Sequence, residues 1–528
     1  MKPCASAFLV PGLVLASLCL AENPIVQTKF TADPAPMVWN DTVFLYTSHD
    51  DDSAVNFLMT DWMLYTTTDM VNWRDRGSPA SLKSFKWTGT NGAWAPQTIQ
   101  RNGKFYMYTP IQLQGIGVLV SNTPYGPFTD PLGKALVNNG SPAIDPTVFI
   151  DSDGQAYLYW GNPDAYYVKL NADMISYSGS ITMIPRLQSY QEGPWFYKRG
   201  NFYYLAFAST CCPEGIGYAM SSSPTGPWTY KGSIMDGNPN SSGNHPGIID
   251  FKGKSYVFGF NYAINYSLTT VHRERRSVCL AEMTYNADGT IQKVPWWGGG
   301  MPSGPGVAQV GTLDPYVQVE AETMAWSQGV KTEPCGEGGM DVTSIQNGDF
   351  IKLKGVDFGT GASSFDARVA SATAGGNIEL RLDSAKGKLA GTCTVAGTGG
   401  WQTWTTKSCP VSGATGVHDL FLMFTGSGTG DLFNFDWWKF TETTALKAPR
   451  SAAVREWLRV DAEGNRITVH SDLPLDRLQL VSAKGEVWNL GNGSAQVELD
   501  AGHFPIGVYF LKARSGPNTA VKRLLLNL

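Results

Sequence analysis

The sequence predicts an all-β chain that opens with a five-bladed β-propeller and continues into further β domains. Three observations carry this expectation. The chain is rich in Trp, Tyr and Gly (17, 22 and 58 of 528 residues) while only 16% of it is charged, a balance that suits strands and tight turns. Five segments of one plan recur at a spacing of about 50 residues, the size of a four-stranded propeller blade. A Gly/Pro-rich stretch from Gly298 to Pro315 then separates them from a second region of alternating apolar and polar residues. The length itself argues for about three domains, since a single core stops growing well before this size.

Residues 1–21 read as a secretory signal. Lys2 supplies a positive start, Ala7 to Leu20 is apolar, and Cys19 and Ala21 stand as small residues before a cleavage site at Glu22. The apolar run is short for a membrane span, and no other segment is apolar enough to cross a bilayer. Net charge is −5, so there is no basic excess to hold a phosphate backbone and nucleic acid is not an expected partner. The abundant aromatics instead offer flat faces on which the C–H faces of sugar rings can stack. After the signal, Cys393 and Cys409 share one module and are candidates for a disulfide in an oxidising compartment, whereas adjacent Cys211 and Cys212 are not expected to bond each other.

Residues 22–300 hold the five repeats. Each has a Pro near its start (Pro34, Pro96, Pro146, Pro194, Pro246), a β-rich run, a polar turn and a second aromatic run. The turns are hairpin chemistry: Asn40-Asp41, Asn102-Gly103, Asp153-Gly154, Gly200-Asn201 and Lys252-Gly253. A second echo, Ser121 to Phe128 against Ser221 to Trp228, marks equivalent outer strands. Beside the shared prolines stand Asp33, Ala95, Asp145, Glu192 (one residue earlier) and His245. If each inner strand starts at a central channel, three carboxylates and one imidazole converge there. An isolated Asp before Pro is usually a turn residue. Three acids at matched positions suggest a functional pocket.

Paired carboxyls are what glycosidic cleavage requires: one protonates the leaving oxygen and another acts as base or nucleophile. Glu192 lies in the apolar, aromatic stretch Gln191-Glu192-Gly193-Pro194-Trp195-Phe196, a setting that disfavours the anion and suits an acid. Asp33 is the candidate base, with Asp145 tuning Glu192. With these motifs, Ala32-Asp33-Pro34, Ile144-Asp145-Pro146 and Gln191-Glu192-Gly193-Pro194, residues from about 30 to 300 resemble glycoside hydrolase family 43, whose members are five-bladed propellers with inverting mechanisms. The resemblance implies general base Asp33, general acid Glu192 and pKa modulator Asp145. It places His245 beside a channel cation, often calcium, through water. It also brings an arginine to the sugar; Arg275, in His272-Arg273-Glu274-Arg275-Arg276, is the expected one. Trp94 and Asn162 are candidate walls of the sugar pocket.

Residues 301–315 read as a linker lying on the surface. Residues 316–441 open with Val319-Glu320-Ala321-Glu322, contain Asn347-Gly348-Asp349 and Gly400-Trp401-Gln402, and close with Asn434-Phe435-Asp436-Trp437-Trp438. They resemble carbohydrate-binding module family 6, a jelly-roll β-sandwich. By that resemblance Glu320, Glu322 and Asp436 would hold a structural calcium, an ion suited to oxygen ligands, and Trp401 and Asn434 would contact sugar. Ser344 stands where a second aromatic is expected. Residues 442–528 form a small C-terminal β domain whose ending, Gly507 to Ala513 and Val521 to Leu526, resembles secretion-sorting domains of bacterial extracellular enzymes. The whole therefore resembles secreted or cell-surface bacterial arabinoxylan arabinofuranohydrolases, monomers acting on arabinoxylan or xylan. The alternatives are a β-xylosidase and, in a different class, a glycan-binding protein with a retired catalytic site. Retention of all three acids speaks against the last.

Overall fold

The computed structural model describes residues 22–443 apart from 88, 113, 139–142, 212, 239–243 and 305, together with most of residues 458–526. The signal segment, residues 1–21, lies outside the described residues. The chain divides into two compact units, residues 1–443 and 444–528.

In the first unit the repeats form five antiparallel sheets among the described residues. Their inner strands are Phe30–Trp39, Gln97–Arg101, Thr147–Ile150, Tyr190–Arg199 and Gly247–Phe251. Each is followed by a hairpin partner, and four of the hairpins have two-residue turns in register, such as Trp39 opposite Thr42 and Phe251 opposite Lys254. In three of them both turn residues take positive φ, at Asn40-Asp41, Asn102-Gly103 and Lys252-Gly253, the twist that right-handed strand pairs need.

The inner strands neighbour one another in cyclic order, the first lying beside both the second and the fifth. The first and fifth come close at Gly247, where an added Cβ would stand 2.4 Å from the Pro34 carbonyl; only glycine permits that approach. The chain also ties its start to the fifth sheet: Ile25 N–H bonds Val278 O at 2.9 Å and Thr31 N–H bonds Arg276 O at 2.9 Å. Between the sheets lie apolar layers built on alternate residues of each strand, including Tyr46, Trp62, Met107, Tyr204 and Trp297, all essentially solvent-free.

Residues 319–442 form a sandwich of one six-stranded and one five-stranded sheet around Val342, Ile351, Phe365, Leu422 and Trp438. Its strand Thr323–Met324 pairs with Trp73–Asp75, extending the first sheet of the repeat region across the boundary. The segment 301–315, read from the sequence as a surface linker, keeps exposed residues such as Met301, Gly311 and Asp314 and is pinned down between them. Val307 is buried, Val310 N–H bonds Asp69 O, and Gln309 reaches both Asp69 and Lys354. Val307, Val310 and Leu313 supply the apolar side chains that hold it down. The second unit has two sheets, of three and four strands, around Val469, Leu478, Leu480 and Leu511. Among the described residues no helix is long and apolar enough to cross a membrane.

Candidate active site

The backbone turns the acids inward by breaking the strand ladder just before each proline. The first inner strand bulges between Ala32 and Ala35, and the fourth between Glu192 and Trp195. Asp33 and Asp145 take φ of 49° and 57°, and Gly193 takes 59° at the matching place. The residue before proline ordinarily prefers extended backbone, and positive φ is uncommon outside glycine, though Asp tolerates it best among charged residues. Such strain persists where the surroundings impose it. Here it aims the carboxylates of Asp33 and Asp145 into one cavity of about 250 Å3, also lined by Glu192 and His245.

The environments of the acids differ. Asp33 is buried and accepts from Arg276 Nη1 at 2.9 Å and Ser48 Oγ at 2.6 Å, while His245 Nδ1 stands 3.4 Å away. Burial alone would raise its pKa, but Arg276, His245 and Ser48 more than offset this and hold the carboxyl well below the usual range. Asp33 is therefore ionised throughout the physiological range. Burial pushes Asp145 up to about 7; His245 and the Gly193 N–H oppose the rise, and the charges of Glu192 and Asp33 add to it. Glu192 is raised by burial and by Asp33, against the charge of His245 and a hydrogen bond donated by Asn162 Nδ2. For His245 burial favours the neutral ring, but the three carboxylates prevail and raise it to about 8. The cavity thus holds one carboxyl fixed as an anion beside another biased toward its protonated form, the division of labour that general base and general acid require.

Comparison with known proteins agrees with this chemistry. Residues 21–291 match the family described as Glycosyl hydrolases family 43, and residues 320–442 match Carbohydrate binding module (family 6). The chain belongs to glycosyl hydrolase family 43. Its relatives include the arabinoxylan arabinofuranohydrolase of Bacillus subtilis (strain 168), 38% identical over 501 residues, which are 83% of this chain and 96% of that protein. The protein of the same name from Paenibacillus polymyxa is 37% identical over 493 residues, 81% of this chain and 76% of that one. A crystal structure of the Bacillus subtilis family 43 arabinoxylan arabinofuranohydrolase, in complex with cellotetraose, superimposes with a TM-score of 0.70 at 37% identity, covering 80% of this chain and 97% of that chain.

Within this family 43 hydrolase, two further expected residues lie at the cavity: Trp94 forms part of its wall and Asn162 holds Glu192. The arginine expectation needs correction. Arg275 turns away, bonding Ala54 O through Nε at 2.9 Å and lying over the Phe30 ring, while Arg276 reaches the cavity. Neighbouring residues of an extended chain point to opposite sides, so only one of the pair could face inward. Arg276 is nearly solvent-free and also makes Nε and Nη2 bonds of 2.9 and 2.8 Å to the fully buried Asp50. Phe57 and Met59 line the cavity as well; they come from a loop outside the repeats, where no pattern marks them.

Glu214 was also not anticipated. It stands just before the strand Gly215–Ser221, lines an adjoining cavity, and is raised to about 8 by burial and by the charges of Glu192 and Asp145. The Pro213-Glu214-Gly215 segment has no counterpart among the repeats to signal it. Cys211, at the same wall, is disulfide-bonded, and Cys393 and Cys409 stand as thiols; Cys212 lies outside the described residues.

In the sandwich, Glu320 and Glu322 face Arg74 of the repeat region: Arg74 Nε donates to Glu322 Oε1 at 3.0 Å, and Nη2 is 3.5 Å from Glu320 Oε1. Burial still raises Glu322 well above the usual carboxylate range against the charge of Arg74, and its Oε2 is buried without a hydrogen-bond partner. Asp436, the third expected calcium ligand, is raised to about 6 by burial and by the charge of Glu320. Trp401 is exposed, but Asn434 is buried, its amide donating to Glu333 at 2.8 Å and accepting from Thr343 at 3.2 Å.

Proposed function

We propose that this chain is an inverting glycoside hydrolase that removes α-L-arabinofuranosyl side groups from arabinoxylan. The observation that carries the proposal is the opposed ionisation of two carboxyls in one small cavity, Asp33 pinned as an anion by Arg276 and Glu192 biased toward its acid form. Relatives 37–38% identical over most of the chain, both arabinoxylan arabinofuranohydrolases, supply the substrate class. A cavity of about 250 Å3 is below the usual range for larger ligands and suits a single pentose ring.

In this reading Glu192 donates its proton to the glycosidic oxygen as the C1–O bond breaks. Asp33 accepts a proton from the water that attacks C1 from the opposite face, and Asp145 keeps Glu192 protonated until it is needed. The cyclic neighbour order of the five inner strands and the pairing of the chain's start onto residues 276–280 support closure as a five-bladed propeller. The leader-like run from Lys2 to Ala21 and the sorting-like ending of the C-terminal unit support export from a bacterial cell.

Replacing the acid tests the roles. Glu192→Ala should abolish arabinose release from arabinoxylan by about 10²–10⁴-fold, the usual worth of a positioned acid. It should spare much of the rate on a 2,4-dinitrophenyl arabinofuranoside, whose leaving group needs no proton. Asp33→Ala should lose both. Equal rates for wild type and Glu192→Ala on the polymer would end the assignment.

A further inference from the structure

A second cavity of about 320 Å3 adjoins the first and shares five of its walls: Asp33, Phe57, Glu192, His245 and Arg276. The two are therefore one continuous cleft with Glu192 at the junction. On one side lie Asp145, Trp94 and Asn162; on the other lie Glu214, Tyr262 and Glu274. The acid of a glycosidase delivers its proton to the oxygen that departs with the leaving sugar. With the cleaved sugar beside Asp145, Trp94 and Asn162, the leaving sugar falls on the other side of Glu192.

We infer that this adjoining cavity is the subsite for the backbone sugar that bears the scissile side group, and that Glu274 is its specificity-determining hydroxyl acceptor. The inference rests on the arabinofuranosidase reading above and names the residues that recognise its leaving group. Glu274 is held in place from two sides. Tyr262 Oη donates to Oε2 at 2.8 Å, and His272 Nε2 bonds Oε1 at 3.1 Å. Tyr262 is buried, whereas the Glu274 side chain keeps 18% of its surface exposed toward the cleft. A carboxylate oxygen has two lone pairs, so each oxygen keeps one for a sugar hydroxyl in a geometry that is already set, the condition for a strong and selective contact.

An aromatic ring lines the same cavity. Phe57 is 48% exposed and its ring lies 5.3 Å from the Arg276 guanidinium. A flat ring and a carboxylate in one cavity suit a pyranose, which presents C–H bonds on its faces and hydroxyls at its edge. The two walls are tied together: Glu274 N–H bonds Val55 O at 3.3 Å and Arg275 Nε bonds Ala54 O at 2.9 Å. The loop carrying Phe57 and the segment carrying Glu274 therefore hold a constant separation, as a subsite for one ring requires.

The experiment compares two substrates. The ratio of kcat/KM on arabinoxylan to kcat/KM on 4-nitrophenyl α-L-arabinofuranoside isolates recognition of the leaving sugar, because the aryl substrate has none. Glu274→Gln should lower this ratio by about tenfold, the worth of a hydrogen bond to a charged acceptor, chiefly through KM on the polymer. Tyr262→Phe, which removes only the hydroxyl that holds Glu274 and keeps the ring that fills the same space, should lower it in the same direction by a smaller factor. An unchanged ratio in both variants, including the case where both substrates lose rate in parallel, overturns the inference and leaves Glu274 a purely structural anchor of its loop. Absence of arabinose release by the wild type would instead overturn the underlying reading.

Discussion

Arg276→Met tests the electrostatic core of the site. The guanidinium is nearly solvent-free and is shared between Asp33 and Asp50, with Nη1 on Asp33 and Nε and Nη2 on Asp50. Met keeps most of the volume and removes the charge, so packing changes little while two buried carboxylates lose their counterion. Removing one partner of a buried ion pair costs about 3–5 kcal/mol. Asp33 retains Ser48 and His245, and Asp50 retains the residue 276 N–H at 2.8 Å, so the same range serves for the pair together. Arg275→Met is the internal control. It removes one hydrogen bond to Ala54 O and a ring contact, which together are worth about 1 kcal/mol. The assay is loss of activity on an aryl arabinofuranoside across a guanidinium chloride series, with the pH dependence of kcat/KM measured alongside. Asp33 is depressed in the folded state, so its stabilisation is present above its unfolded pKa and is lost as pH falls through the folded one. Without Arg276 the folded value rises, and both the acid limb of activity and the onset of acid unfolding move to higher pH. An Arg276→Met protein with an unshifted acid limb and an unchanged midpoint would refute this account, as would an Arg275→Met protein equally impaired.

Three further outcomes are expected. Asn162→Ala removes a hydrogen bond that lowers the Glu192 pKa, so the alkaline limb of kcat/KM should move to higher pH even as the rate falls; movement to lower pH would contradict the assigned acid. Gly193→Ala puts a Cβ 3.1 Å from the His245 ring at a residue with φ of 59°, and should destabilise by about 1–3 kcal/mol and lower activity by displacing His245, read by thermal melting and initial rates. Arg74→Ala takes a countercharge from the buried Glu322 and should lower the melting midpoint; an unchanged midpoint would show that the pair adds nothing to stability.

The inner strands and the three acids were legible because repetition exposes them. Five prolines at matched places mark the inner strands, just before the strand in three and at the bulge within it in two, and a carboxylate in the same slot three times over stands out against turn residues that occur singly. Choosing between Arg275 and Arg276 needed the strand phase, which a run of charges without apolar alternation does not reveal. Phe57, Met59 and Glu214 sit on loops with no repeat partner, and their convergence on the acids is a product of three-dimensional closure alone. In the segment 301–315 the glycines and prolines suggest a surface linker, but they do not reveal that three apolar side chains within it anchor it to the fold. In the sandwich, Glu320 and Glu322 carry the expected residue types, but their pairing with Arg74, some 250 positions away in sequence, leaves no mark in the local pattern.

The account's central claim is most directly tested by following arabinoxylan hydrolysis by NMR from the first moments of reaction. Arabinose released initially as the β-anomer, with linear xylo-oligosaccharides left intact, is the predicted result, since a water activated by Asp33 opposite Glu192 inverts C1. Initial α-anomer, or xylose released from linear xylo-oligosaccharides, would contradict it.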